Sequence, residues 1–178
     1  EKGNCRGLLI YARAGMVVAQ YDNAEIRAAT EVCAVRVSGW EKGNSLTVAL
    51  AYRPPRPAGS NEDNGNTEAM CRMIKSLPGP AILVADMNCP SINWREQHTT
   101  HKGEKLLLEV MQDAFWTQHV LGPTHRDGNC LDIVGSSEDD LVTNVESIGR
   151  ISDHDLLEIE LRSPVSEDEG QEEVPDWA

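Results

Sequence analysis

Residues 81–85, Ala-Ile-Leu-Val-Ala, form an unbroken apolar run that ends abruptly in Asp86-Met87-Asn88. Bounded by Pro78-Gly79-Pro80 and by Asn88-Cys89-Pro90, the run reads as a buried β-strand. On an extended backbone the side chains of residues 86 and 88 leave from the same face. An acid and an amide at the mouth of an apolar strand cost free energy unless they are paired, hydrogen-bonded or solvated. Two readings follow. Asp86 starts a turn that Asn88-Cys89-Pro90 continues, or the strand delivers a catalytic site at its carboxyl end.

The rest of the chain supplies partners for such a strand. "RGLLIYA" (6–12), "MVVAQ" (16–20), "EVCAVRV" (31–37) and "SLTVALAY" (45–52) are short and aliphatic. Turn-prone stretches such as Ala14-Gly15 and Lys42-Gly43-Asn44 separate them, which predicts an antiparallel meander. A Pro/Gly/Asn-rich stretch at 53–66 reads as a loop. Beyond it, Met70, Met73, Ile74 and Leu77 recur at helical spacing, and a second helix from about Gly103 places Leu107, Val110, Met111 and Ala114 on one face. "CLDIVGS" (130–136) and "DLLEIEL" (155–161) complete the strands, and the alternation in the latter puts one face in a core and the other in water. The pattern predicts a mixed α/β domain over residues 1–162, with two packed sheets and helices outside.

A chain of 178 residues, 40% of them hydrophobic, suits one such domain. No apolar run is long enough to span a bilayer, and no secretory signal opens the chain, so a membrane partner is not expected. Five cysteines, an odd number without a Cys-x-x-Cys pair, argue against a disulfide framework and for a reducing compartment. The net charge of −13 is uneven: Glu167, Asp168, Glu169, Glu172, Glu173 and Asp176 lie in a stretch without a base, leaving about −7 elsewhere. Residues 163–178 therefore read as a solvated, disordered tail or linker. The acidic balance removes the usual electrostatic footprint of a nucleic-acid binder, so any phosphate recognition has to be local.

Three strand ends carry the same chemistry. Asp86 and Asn88 close one; Asp132 interrupts the apolar run 130–134, where an acid needs a partner; Ser152-Asp153-His154 precede the last strand. Each alone has a plain explanation as turn or loop. Together they point to a hydrolase of phosphate esters, which uses carboxylates to hold a divalent cation, an amide to orient water or phosphate, and a histidine that titrates near neutrality. An acid beside the histidine would fix its tautomer and favour its charged form.

The ordered series Tyr52-x-Pro54, Asp86-x-Asn88, Leu131-Asp132-Ile133-Val134 and Ser152-Asp153-His154 resembles the endonuclease/exonuclease/phosphatase family. Over residues 6–162 it is most similar to the apurinic-type endonuclease domain of non-LTR (LINE-type) retrotransposons, through "RGLLIYAR", "VALAYRPP", "ADMNCPSINW", "PTH", "LDIV" and "SDHDLLEIEL". The resemblance implies a four-layer α/β sandwich, Mg²⁺ (or Mn²⁺) as cofactor, DNA as partner, action in the nucleus, and a reverse transcriptase C-terminal to this region in the intact element. It implies that Tyr52 contacts the scissile phosphate, that Asp86 positions the attacking water and Asn88 orients it, and that Asp153 lies near the metal. His154 would be general base or phosphate-polarising group, held by Asp132. Thr124 would touch the DNA backbone, and Ser152 would support the phosphate side.

Departures from the family pattern are Ala85 and Met87 flanking the acid, where Gly and Phe are usual, and Pro55 where some relatives carry Asn. More seriously, the Asn-bearing strand and the strand-end Glu that opens the family's metal site have no counterpart; Glu31 is the nearest residue, in the wrong order. The expectation is an N-terminally truncated fold whose turnover is in doubt. Its alternatives are an inactive remnant of the same fold, or a phosphatase or phospholipid phosphodiesterase of the superfamily. Among the remaining residues, His98, His101, His119 and His125 read as loop histidines rather than a zinc site. Arg53, Arg56 and Arg126 are loop cations that can reach a phosphate, and Trp94 and Trp116 read as packing residues.

Overall fold

Leu83 is fully buried and Ile82 nearly so, though successive side chains of a strand point to opposite faces. The 81–86 strand is therefore covered on both sides, which is why its sequence is apolar without alternation. The computed structural model describes residues 7–29, 31–41, 44–55 and 61–162; the acidic tail and Arg56 lie outside them. In chain order the elements are β1 (Val18–Tyr21), α1 (Ala24–Ala28), β2 (Val32–Glu41), β3 (Asn44–Tyr52), α2 (Asn61–Ser76) and β4 (Ala81–Asp86). Then come α3 (Lys102–Asp113), β5 (Thr117–Gln118), β6 (Asp132–Ser136), β7 (Val142–Ile151) and β8 (His154–Leu161).

Six strands form one mixed sheet in the order β1-β2-β3-β4-β6-β5, and β7 and β8 form a separate hairpin. The β3–β4 pair is parallel, with α2 as its crossover; the other pairs are antiparallel. On one face of the large sheet, Leu83, Ala85 and Ile133 pack beneath Met70, Met73 and Ile74 of α2 and Leu107 and Met111 of α3. On the other, Leu46, Ile82 and Val134 meet Leu141, Val142, Leu157 and Ile159 of the hairpin region. Each fully buried aliphatic side chain of this kind contributes about 1.5–3 kcal/mol. The result is the expected α/β architecture of two packed sheets with helices outside.

The last three strands of the meander, both long helices and the last strand lie where the spacing predicts them. Other elements differ. Residues 7–12 form no strand: Leu9 and Tyr11 are exposed, and no described strand pairs with them. Helix α2 starts at Asn61, inside the stretch that reads as a loop. Asn, Asp and Gly are weak helix formers, and the packing of Thr67, Met70 and Met73 overrides them. The hairpin strand β7 has no signature in the sequence, because most of its residues are exposed and it shows no apolar period. Among the described residues Cys33, Cys71, Cys89 and Cys130 are free thiols; Cys71 and Cys89 are buried, and burial pushes Cys71 and Cys130 up to about 11.

Candidate active site

Backbone register aligns three of the expected residues in one row. Tyr52 on β3 is opposite Asp86 on β4, and Asp86 is opposite Asp132 on β6. Tyr52, Asp86 and Asp132 line one end of a cleft of about 280 Å³ between the sheets, whose walls are Leu50, Val84, Leu157 and Ile159. Ser152 and Asp153 are the two turn residues of the β7–β8 hairpin, and His154 is the first residue of β8. Ser152 adopts the left-handed conformation (φ 67°) that tight hairpins use. The hairpin thus delivers the imidazole to the row of acids.

His154 Nδ1 lies 2.8 Å from Asp132 Oδ2, and its Nε2 lies 4.0 Å from Asp86 Oδ2. Burial alone would lower the His154 pKa, but the hydrogen bond and charge of Asp132, with the charges of Asp86 and Asp153, outweigh it and raise the group above its ordinary value. With Nδ1–H held by Asp132, the Nε2 lone pair is directed away from that carboxylate. The Asp86 carboxyl is raised, first by burial and then by the charge of Asp132, and His154 offsets only part of this.

Asp132 is itself fixed from behind. Thr124 Oγ1 accepts the backbone N–H groups of Leu131 (3.2 Å) and Asp132 (3.0 Å), while the Thr124 carbonyl accepts the N–H of Asp155 (2.8 Å). Thr124 is only 1% exposed, so it faces no solvent and cannot make the expected DNA contact; it sets the entry of β6 instead. Arg53 is also not a loop cation at the surface. At 5% exposure it lies buried, donating to Thr67 Oγ1 (3.2 Å) and to the carbonyls of Met87 (3.2 Å) and Asn88 (3.3 Å).

Asn88 departs from the expected geometry. The strand stops at Asp86, Asn88 takes a left-handed conformation (φ 47°), and its Nδ2 donates to the Arg53 carbonyl at 2.9 Å. Its side chain lines a neighbouring cavity of about 460 Å³ with Arg53, Glu104 and His125, not the cleft that holds Asp86. The turn reading of Asp86 holds: its Oδ1 accepts the Asn88 N–H at 3.2 Å.

Ser152 donates to Asp153 Oδ1 at 2.8 Å, and this hydrogen bond is the main reason that the exposed Asp153 carboxyl titrates below the usual range. Asp153 stands beside His125, not beside Asp86 and Asp132: His125 Nε2 is 3.6 Å from Asp153 Oδ2. The His125 ring meets His154 edge-on with centroids 5.0 Å apart. The sequence carries no local signal for this, since His125 and His154 are brought together only by a backbone bridge between them. The other histidines are dispersed: His98 bridges Asn93, His101 precedes α3, and His119 shares a 2.7 Å hydrogen bond with Ser136. Trp94 is buried and Trp116 packs against the helical core, as their residue types predict.

Asp86, Asp132 and His154 each offer a ligand atom within 4.8 Å of the others. Two carboxylates side by side in a half-buried place, one of which raises the other's cost of ionisation, fit a hard divalent cation, which takes oxygen ligands and completes its shell with water. An acid row across a sheet mouth, with an acid-backed imidazole facing it, is the chemistry of phosphodiester hydrolases, here on the two-sheet α/β fold of the endonuclease/exonuclease/phosphatase class.

The chain belongs to the endonuclease-reverse transcriptase family, whose model matches residues 46–158. Among solved structures, it is similar to the endonuclease domain of TRAS1, a telomere-specific non-LTR retrotransposon, with a TM-score of 0.62 and 19% identity over 83% of this chain and 68% of that one. The human Nocturnin catalytic domain with bound sulfate aligns with a TM-score of 0.49 and 13% identity, over 80% of this chain and 52% of that one. Comparison with curated proteins gave no match.

Proposed function

We propose that this chain is the DNA-nicking endonuclease of a non-LTR retrotransposon, hydrolysing one phosphodiester bond with the help of a divalent cation. The observation that carries the reading is the contact of His154 with two members of the Tyr52–Asp86–Asp132 row, Nδ1 at 2.8 Å from Asp132 and Nε2 at 4.0 Å from Asp86. Asp132 holds the imidazole by Nδ1, so Nε2 is the atom that exchanges a proton at the phosphate. Asp86, with its raised carboxyl, orients a water for in-line attack, and the Tyr52 hydroxyl contacts a phosphate oxygen. Asp86 and Asp132 oxygens would hold Mg²⁺ or Mn²⁺, which would supply charge neutralisation at the phosphate. DNA is the partner, the nucleus the place of action, and a reverse transcriptase domain the expected neighbour in the intact element.

A second reading is a catalytically silent member of the same fold. It is favoured by Asn88, whose amide is engaged with the Arg53 carbonyl. Nicking of supercoiled plasmid by this chain, with Mg²⁺, Mn²⁺ or chelator and beside His154→Ala, decides between them. Metal-dependent nicking that His154→Ala loses supports the endonuclease. A folded chain that leaves plasmid intact under every condition supports the silent member.

A further inference from the structure

His154 belongs to two groups of metal-capable side chains. One is the Asp86–Asp132–His154 cluster; the other is His125, Asp153 and His154, whose ligand atoms also lie within 4.8 Å of one another. The second group differs in donor chemistry, with two imidazoles and one carboxylate in place of two carboxylates and one imidazole. Nitrogen-rich sets of this kind favour Zn²⁺ and its neighbours in the first transition row over Mg²⁺, which demands oxygen and water. Three protein ligands leave room for water in the remaining positions.

The two histidines each have a carboxylate behind the ring, at different distances. Behind His154, Nδ1 meets Asp132 Oδ2 at 2.8 Å; behind His125, Nδ1 lies 3.6 Å from Asp127 Oδ2. The Asp132 carboxylate holds the proton on His154 Nδ1 and leaves Nε2 free to coordinate, the arrangement that orients histidine ligands in metal sites. The Asp127 N–H also points at His125 Nδ1 (3.2 Å), so cation binding would exchange this contact for the one to the Asp127 carboxylate. The backbone holds the pair in place. His125 and His154 form an antiparallel bridge, Arg126 N–H donates to the Asp153 carbonyl at 2.9 Å, and the His125 side chain is only 13% exposed while Asp153, at 44%, leaves the site open to solvent.

We propose that His125, Asp153 and His154 form a second cation site, selective for Zn²⁺-like ions and distinct from the acidic site through its use of His125. Both sites need the same imidazole, so a Zn²⁺ ion here removes His154 from phosphate chemistry. The cation binding stands on the geometry alone; the inhibitory consequence rests on the endonuclease reading.

The test is Co²⁺ binding to the full chain, followed by visible absorption and competed by Zn²⁺, for the parent, His125→Ala, His125→Gln and Asp86→Asn, each checked for fold by circular dichroism. The expected result is one Co²⁺ displaced by Zn²⁺ in the parent and in Asp86→Asn, with affinity weakened roughly tenfold or more in both His125 variants. No Co²⁺ binding by the folded parent overturns the site, as does binding unchanged in the folded His125 variants, or binding lost in Asp86→Asn and kept in His125→Ala. In parallel, Zn²⁺ is titrated into Mg²⁺-supported plasmid nicking, each chain normalised to its own rate without Zn²⁺. The inhibition midpoint should rise in the His125 variants, and a midpoint that does not move overturns the inhibitory role. A parent that never nicks defeats the endonuclease reading, and Co²⁺ binding then decides the site by itself.

Discussion

Asp132 and His154 stand 22 residues apart in sequence and 2.8 Å apart in space, Oδ2 against Nδ1. Because this contact helps to raise the His154 pKa, its removal should be readable as a titration. His154 in the parent should titrate above the ordinary value of about 6.5, and Asp132→Asn should bring it down. The sign for stability follows: a histidine raised in the folded state contributes stability that is fully present below about pH 6.5 and lost as pH rises through its folded pKa. The destabilisation by Asp132→Asn should therefore be larger at acid than at alkaline pH. Ring-proton NMR titration and thermal melts across that range check both; an unmoved His154 titration would refute the pairing.

Asp86 carries the opposite expectation. Its carboxyl is raised by burial and by Asp132, so ionising it costs the fold free energy that is absent below the unfolded pKa and present above the folded one. Asp86→Asn keeps the acceptor for the Asn88 N–H while removing the charge. At neutral pH it should raise Tm in metal-free buffer yet lower nicking by about 10²–10⁴-fold. Melting and plasmid assays on the same preparation test the pair of effects, and a lower Tm would refute the electrostatic account.

What was legible in the sequence follows periodicity and chemistry. The apolar β4 run, the i, i+3, i+4 stripes of α2 and α3 and the alternation of β8 each declare a buried face, and all three hold. Asp132 and His154 were legible because an acid in an apolar strand and a histidine at a strand mouth need partners, and they find each other. Thr124, Arg53 and Asn88 were not, because their roles depend on which way a turn sends them. Nothing in "YRPP" says that Arg53 folds inward, and extended-chain reasoning fails at Asn88 because the strand ends before it. His125 needed tertiary contacts that no local spacing records.

Thr124 and Asp132 make a separate prediction. Thr124→Val removes the one side-chain acceptor of the Leu131 and Asp132 N–H groups in a buried place, at a cost of about 1–3 kcal/mol. Thr124→Ser keeps the hydroxyl and should recover most of it. Chemical denaturation of the three chains measures the difference. Equal losses in Val and Ser variants would show that the methyl group, not the hydroxyl, matters.

Arg53 separates a buried scaffold from a phosphate contact. A side chain that neutralises a DNA phosphate adds about one unit to the dependence of log affinity on log salt, and its loss removes that unit. Arg53 instead joins Thr67 on α2 to the Met87 and Asn88 carbonyls beyond β4, holding the turn that follows the acid. Arg53→Gln should therefore lower stability by about 1.5–3 kcal/mol, the usual value of hydrogen bonds from a charged donor, and leave the salt slope of DNA binding unchanged. Denaturant midpoints and fluorescence anisotropy at several salt concentrations measure both quantities. A slope that falls by one with stability intact would return Arg53 to the DNA surface; an unchanged slope with a weakened fold would mean that the arginine acts on Asn88 through the turn.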